Sequence, residues 1–150
     1  MKILFVCTGN TCRSCMAEAI FNSMCNIQGI EAFSAGTSVI PGSKTSLNSA
    51  LVVKERLNKD ISNRQAVQLT PFLVDDCDLV LTMTSLLSDM LRDYMEKNAN
   101  KIYSLSEYTE VRGDITDPYG RDIEVYRQTY EDIEKRLKVF IKKLNEDRSI

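Results

Sequence analysis

Histidine is absent from the 150 residues, and its absence removes the imidazole on which Ser-His and Cys-His nucleophiles depend. It also leaves a zinc centre short of ligands. The five cysteines, Cys7, Cys12, Cys15, Cys25 and Cys77, contain one C-x-x-C, at Cys12 and Cys15, with no second pair to complete four ligands. No metal or other cofactor is expected. An excess of basic charge is missing too: 19 Lys and Arg against 21 Asp and Glu leave a formal charge of −2. Such a chain has no general attraction for nucleic acid or an anionic membrane, so any anion it binds must be bound locally. No apolar run approaches transmembrane length, and Lys2 to Val6 is too short for a signal peptide and lacks a small-residue cleavage pattern after it. An odd number of cysteines without export features argues against a disulfide framework and for free thiols in the cytoplasm. Repeats and low-complexity tracts are also lacking, and with 43% hydrophobic residues the expectation is one domain over residues 1–150, a monomer with a buried core.

What is present alternates between strand and helix. Lys2 to Cys7 is a short apolar run closed by Gly9 and Asn10, which predicts a buried strand. Met16, Ala17, Ile20, Phe21 and Met24 share one helical face. Glu31 to Ser34 fits a second strand, closed by Ala35-Gly36 and a loop through Pro41-Gly42. Leu47, Ala50, Leu51 and Leu57 mark another helix. Asp78 to Met83 predicts a third strand, followed by a helix with Leu86, Leu87, Met90, Leu91 and Tyr94 on its apolar face. Lys101 to Leu105 fits a fourth strand. The last helix is the clearest, with Ile123, Tyr126, Tyr130, Ile133, Leu137, Phe140 and Leu144 recurring every three or four residues. The pattern predicts an α/β domain, a four-stranded parallel sheet with helices on both faces, doubly wound and flavodoxin-like. Ligands of such sheets bind beyond the carboxyl ends of the strands.

Cys7 ends the first strand and therefore stands where chemistry is expected. Residues 8 to 13 must turn the chain into a helix that begins near Ser14. Gly9 and Asn10 tolerate left-handed backbone, so the N–H groups of Thr8 to Ser14 can converge as an anion-binding nest. The helix N-terminus adds positive charge at the same point, and Arg13 adds a planar fork that matches two phosphate oxygens. The cradle suits a tetrahedral dianion, with Cys7 beneath it as a thiolate nucleophile. Cysteine is also a common small core residue, and glycine turns follow strands in every α/β protein. The order strand end, Gly-Asn turn, Arg, helix start favours the phosphate site.

These residues resemble a known family. Cys7-Thr-Gly-Asn-Thr-Cys-Arg-Ser14 with Met16-Ala-Glu18 is similar to the active-site loop of the low-molecular-weight protein tyrosine phosphatases. The likeness extends through Ser34-Ala-Gly36, Asp78-Leu-Val-Leu-Thr-Met83 and Asp117-Pro-Tyr-Gly120, in the family's order. The resemblance implies hydrolysis of a phosphorylated protein side chain through a phosphocysteine on Cys7. Asp117 would be general acid and then base, Arg13 and the loop would hold the phosphoryl group, and Tyr119, Thr11 and Ile40 would flank the substrate. It also implies a Ser14 hydrogen bond to Cys7, a loop-holding role for Asn10, and a reversible Cys7–Cys12 disulfide under oxidation. A merely buried Cys12 is the alternative.

The chain departs from the family's pattern at three places. Cys15 replaces a usual proline at the helix start and adds a third thiol, so a Cys12–Cys15 bridge is a further possibility. Asn63 stands where many members carry a histidine behind the loop. Thr11 occupies a position that is aliphatic in many phosphotyrosine enzymes and resembles the bacterial branch that acts on protein phosphoarginine, which is the expected substrate, with phosphotyrosine as the alternative. A thioredoxin-coupled arsenate reductase needs two cysteines after the third strand, where Thr84 and Leu91 stand, and Cys77 precedes that strand. A non-catalytic phosphate-binding module on the same fold has no use for Cys7, Arg13 and Asp117 together.

Overall fold

The computed structural model describes residues 1–148. Four strands, β1 (Lys2–Cys7), β2 (Glu31–Gly36), β3 (Leu79–Thr82) and β4 (Ile102–Ser104), form one parallel sheet in the order β2-β1-β3-β4. Side chains alternate across it, as a strand's period of two requires. Ile3, Phe5 and Cys7 enter one core layer, while Leu4 and Val6 enter the other. Helices α1 (Arg13–Met24), α2 (Leu47–Leu57), α5 (Leu105–Thr109) and α6 (Ile123–Arg148) supply the first layer, and α3 (Pro71–Asp76) and α4 (Ser85–Tyr94) supply the second. In the first layer Phe21 bridges Phe5 at 6.0 Å and Phe140 at 5.6 Å between ring centres, so α1 and α6 are seated on β1 by aromatic packing. All seven periodic residues of the last helix lie against this layer, with Ile123 the half-exposed one.

The sheet and its main helices agree with the sequence reading, and the differences have local causes. Helices α3 and α5 were not expected. Each begins at a capping hydroxyl, Thr70 before Pro71 and Ser104 in a reciprocal box with Glu107, and such caps stabilise helices too short to show a period. The expected apolar face of α4 is largely outside: Leu86, Met90 and Tyr94 are exposed, while Ser88 and Leu91 face the sheet. Ser88 turns its hydroxyl onto its own helix, at Ser85 O, and its small side chain lets α4 lie close to β3 and β4. The helix after the first loop starts at Arg13, one residue earlier than expected.

Parallel order brings every strand's carboxyl end to one edge. Gly36 ends β2 beside Cys7, and a Cβ there would lie 2.6 Å from Thr8 O and 2.9 Å from Asn10 N. Only glycine lets the loop after β1 rest directly on the strand beside it.

Candidate functional site

The loop between β1 and α1 is organised around Asn10. Its φ of 57° is left-handed, which asparagine tolerates better than most residues. Gly9, the other residue expected to need that freedom, does not take it: the left-handed glycines lie elsewhere, and a Cβ on Gly9 would meet nothing closer than Thr11 Oγ1 at 3.8 Å. The buried Asn10 amide uses its whole capacity. Nδ2 donates to Ser14 Oγ at 2.7 Å and Ser34 Oγ at 3.0 Å, while Oδ1 accepts from Val67 N at 2.9 Å and Arg64 Nη1 at 3.0 Å. Two donors and two acceptor positions are all an amide has.

This arrangement reaches Cys7 through two bonds. Ser14 Oγ, having accepted from Asn10, has its own proton to give to Cys7 Sγ, 2.8 Å away. Asn10 N–H donates to the same sulfur at 3.3 Å. Two donors aimed at one sulfur suit an anion better than a thiol. The start of α1 reinforces them. Cys12 occupies its N-cap and makes no side-chain cap, whereas Ser46, Thr70, Thr84 and Ser104 cap α2, α3, α4 and α5 and Asp122 Oδ1 accepts from Val125 N in α6. The first N–H groups of α1 are therefore left for an external anion.

A cleft of about 460 Å³ opens over this loop. It is lined by Cys7, Thr8, Gly9, Asn10, Thr11, Cys12 and Arg13, and from other segments by Ile40, Asp117 and Tyr119. The substrate-side residues named from the sequence, Ser14 excepted, are thus on one wall or rim. Ser14 is wholly buried behind Cys7. Ser38, Ser43, Lys44 and Ser46 also line the cleft and were missed, because they lie in a loop without periodicity.

Asp117 arrives from the segment between α5 and α6. Its carboxylate is 3.6 Å from Arg13 Nη2 and its side chain is 56% exposed. Its Oδ1 accepts from Tyr119 N at 3.1 Å, a turn that Asp before Pro favours. Arg13, nearly buried, donates Nη1 to Ile115 O at 3.1 Å, so the guanidinium joins the loop after β1 to the segment that carries Asp117. A carboxyl open to solvent on one side and next to a guanidinium in the cleft on the other can exchange protons with a bound group and with water.

The remaining thiols separate by environment. Cys12 Sγ contacts Ser46 Oγ at 3.4 Å and Tyr126 Oη at 3.5 Å. Burial, and then the bond to Cys12, push the Tyr126 phenol up to about 12. Cys15 donates to Cys12 O at 3.2 Å, and burial and the neighbouring Cys7 push its thiol far up, which makes it a poor nucleophile. Cys77 lies at the opposite edge of the sheet, just before β3, and burial raises its thiol also. Thr84 caps α4 and Leu91 is core, so no thiol relay runs from the cleft along that helix.

A family model described as low molecular weight phosphotyrosine protein phosphatase matches residues 2–150. The chain belongs to that family. It is similar to the protein-arginine-phosphatase of Bacillus subtilis (strain 168), 38% identical over 152 residues that cover 99% of each chain. Its fold matches the low molecular weight protein tyrosine phosphatase from T. tengcongensis with a TM-score of 0.90 at 39% identity, over 95% of this chain and 99% of that one. A mutant of the arginine phosphatase YwlE with a phosphorylated active-site serine matches with a TM-score of 0.90 at 35% identity, over 99% of both chains.

Within this low molecular weight phosphatase, the support behind the loop differs from the sequence expectation. Asn63 is exposed, and the next residue, Arg64, reaches the loop instead. Besides Asn10, its Nη2 donates to Ser34 Oγ at 2.6 Å and to Glu18 Oε1 at 3.3 Å, and Ser34 Oγ donates to Glu18 at 2.9 Å. Glu18 belongs to the Met-Ala-Glu run already singled out by resemblance; its partner Arg64 had no local signal.

Proposed function

We propose that the protein is a cysteine-dependent phosphatase that removes phosphoryl groups from protein side chains, with phosphoarginine as its principal substrate. The observation that carries the reading is Cys7 Sγ held between two donors, Ser14 Oγ and Asn10 N, beneath an uncapped helix start and beside Arg13. In the first step the Cys7 thiolate attacks phosphorus and the bond to the side chain breaks, with Asp117 giving its proton to the leaving atom. In the second step water attacks the phosphocysteine and Asp117 takes its proton, releasing inorganic phosphate and the thiolate. Arg13 and the loop N–H groups stabilise the charge on the phosphoryl oxygens throughout. The phosphorylated serine in the YwlE mutant supports a covalent intermediate at this position. Free thiols at all five cysteines suit a cytoplasmic setting.

The lean towards phosphoarginine rests on Thr11. Its side chain lines the cleft, and its hydroxyl has one weak contact, 3.8 Å to Cys12 Sγ, so it has capacity for a substrate nitrogen or the attacking water. Sites that hydrogen-bond a substrate group reject analogues lacking it strongly. The name of the Bacillus subtilis relative agrees with this reading, whereas the T. tengcongensis relative favours phosphotyrosine as the second.

Cys7→Ser is expected to abolish turnover while inorganic phosphate still binds, and Asp117→Asn to slow turnover by roughly a hundred-fold to ten-thousand-fold; steady-state kinetics with p-nitrophenyl phosphate check the rates, and titration calorimetry with inorganic phosphate checks binding to Cys7→Ser. Substantial turnover by Cys7→Ser would remove the mechanism. For substrate choice, kcat/KM is expected to favour a phosphoarginine peptide over its phosphotyrosine counterpart, and Thr11→Ile to reverse the order. A parent preference for phosphotyrosine, unchanged in Thr11→Ile, would return the protein to the tyrosine branch.

The reading includes redox control, because Cys7 and Cys12 line the same cleft. Peroxide would convert Cys7 to a sulfenic acid, and the Cys12 thiol would displace its hydroxyl as water to form the disulfide. Mild peroxide is expected to inactivate the enzyme and dithiothreitol to restore it, with most of the recovery lost in Cys12→Ser. Equal recovery in that variant would show that Cys12 does not resolve Cys7.

A further inference from the structure

Arg136 is a charged residue that the proposed mechanism does not use, yet it is 3% exposed. It lies on α6, in the same layer as the aromatic core, where an unpaired guanidinium would be costly. Its partners explain why it is tolerated. Nε and Nη2 meet the Asp132 carboxylate at 2.9 and 3.4 Å, one helical turn earlier. The other N–H groups reach across to main chain: Nη1 donates to Val111 O at 3.3 Å and Gly113 O at 2.5 Å, and Nη2 to Arg112 O at 3.2 Å. Three successive carbonyls face one guanidinium because the chain turns through two left-handed residues, Glu110 at φ 58° and Gly113 at φ 88°.

Those carbonyls begin the strap that carries Asp117. After Gly113 the strap is fixed at Asp114, whose Oδ1 accepts from Ser85 N and Oγ at 2.9 and 3.0 Å. It is fixed again at Ile115, whose N–H donates to Met83 O at 3.0 Å and whose carbonyl accepts from Arg13. Asp117 itself is loosely held: its carboxylate is more than half exposed, and among the described residues it accepts from the Tyr119 N–H and lies 3.6 Å from Arg13. The position of the acid is therefore set by the strap, and two arginines hold the strap, Arg136 at its origin and Arg13 at its middle.

We infer that Arg136 is a positioning residue for proton transfer by Asp117, acting through the 111–115 strap. The inference rests on the proposed role of Asp117 as general acid. Losing the clamp leaves the Arg112 and Gly113 carbonyls without that donor, and Val111 O with the Ser106 hydroxyl at 2.8 Å, so the strap relaxes and the carboxyl spends less time within reach of the leaving atom. Phosphoryl binding changes little, because the cradle is built on Asn10, Ser14 and the start of α1.

The test is kcat/KM over a series of aryl phosphates of graded leaving-group acidity, for the parent, Arg136→Met, Arg136→Lys and Asp117→Asn, with the inhibition constant of inorganic phosphate measured beside it. A poor leaving group needs the acid's proton and an activated one does not. For Arg136→Met the expectation is a loss of about ten-fold or more on phenyl phosphate and under about three-fold on dinitrophenyl phosphate, a smaller fraction of the Asp117→Asn effect of the same pattern. Arg136→Lys, which keeps the charge beside Asp132 and can satisfy a carbonyl, should fall between Met and parent, and carries the test if Arg136→Met does not fold. The phosphate constant should stay within about three-fold in both variants. An equal loss on every substrate, or no loss, overturns the positioning role. If Asp117→Asn itself shows no dependence on the leaving group, the assignment of the acid fails, and the inference with it; if it does and the Arg136 variants run parallel to the parent, only the inference fails.

Discussion

The site depends on one saturated amide. Asn10 has no unused donor or acceptor, and its four partners come from three parts of the chain: Ser14 in α1, Ser34 in β2, and Arg64 and Val67 in the segment that follows α2. A left-handed backbone at a non-glycine residue persists where its surroundings over-determine it. Here they do, and the consequence is chemical. The same residue that fixes the loop's bend also presents its N–H to Cys7 Sγ and orients the Ser14 hydroxyl toward it. Fold and nucleophile are held by one set of bonds.

The second half of the site is built with less burial. Asp117, the acid of the proposed mechanism, sits on a strap fixed by main-chain carbonyls and two guanidiniums, with its carboxylate open to water. The difference suits the two tasks. A nucleophile must not move relative to the bound phosphoryl group, so it is placed at the end of a central strand under a rigid loop. A proton donor must meet both the leaving atom and water, which requires access to solvent. Arg13 joins the halves, lining the cradle while holding the strap at Ile115.

How much of this could be read from residue types follows from how local each cause is. The run from Lys2 to Met24 announced itself because strand, turn and helix are continuous in sequence, and α6 because its apolar period repeats over many turns. The proposed role of Asp117 came through resemblance alone; Asp-Pro-Tyr-Gly by itself is an ordinary turn. Arg64 was not legible: its place comes from the pairings Lys44 with Gln65 and Gly36 with Gln68, which fold an aperiodic segment under the loop, and Asn63 was expected instead. Arg136 falls between Ile133 and Leu137 and reads as one more charge on a solvated face; only the left-handed turn opposite it explains its burial. Helix α5 did carry a signal, the Ser104-x-x-Glu107 capping box, whereas the outward face of α4 reversed its apolar pattern because Ser88 and Leu91 take the side against the sheet.

The central claim is that Cys7 carries the phosphoryl group between the two steps. It is tested most directly by quenching the enzyme during turnover in alkaline denaturant, in the parent and in the slower Asp117→Asn variant, and locating phosphorus by peptide mass spectrometry. The account predicts a phosphorylated peptide from the N-terminal loop with the modification on Cys7, absent from Cys7→Ser. Phosphate on any other side chain, or continued turnover with no covalent phosphoenzyme under conditions that preserve phosphocysteine, would contradict it.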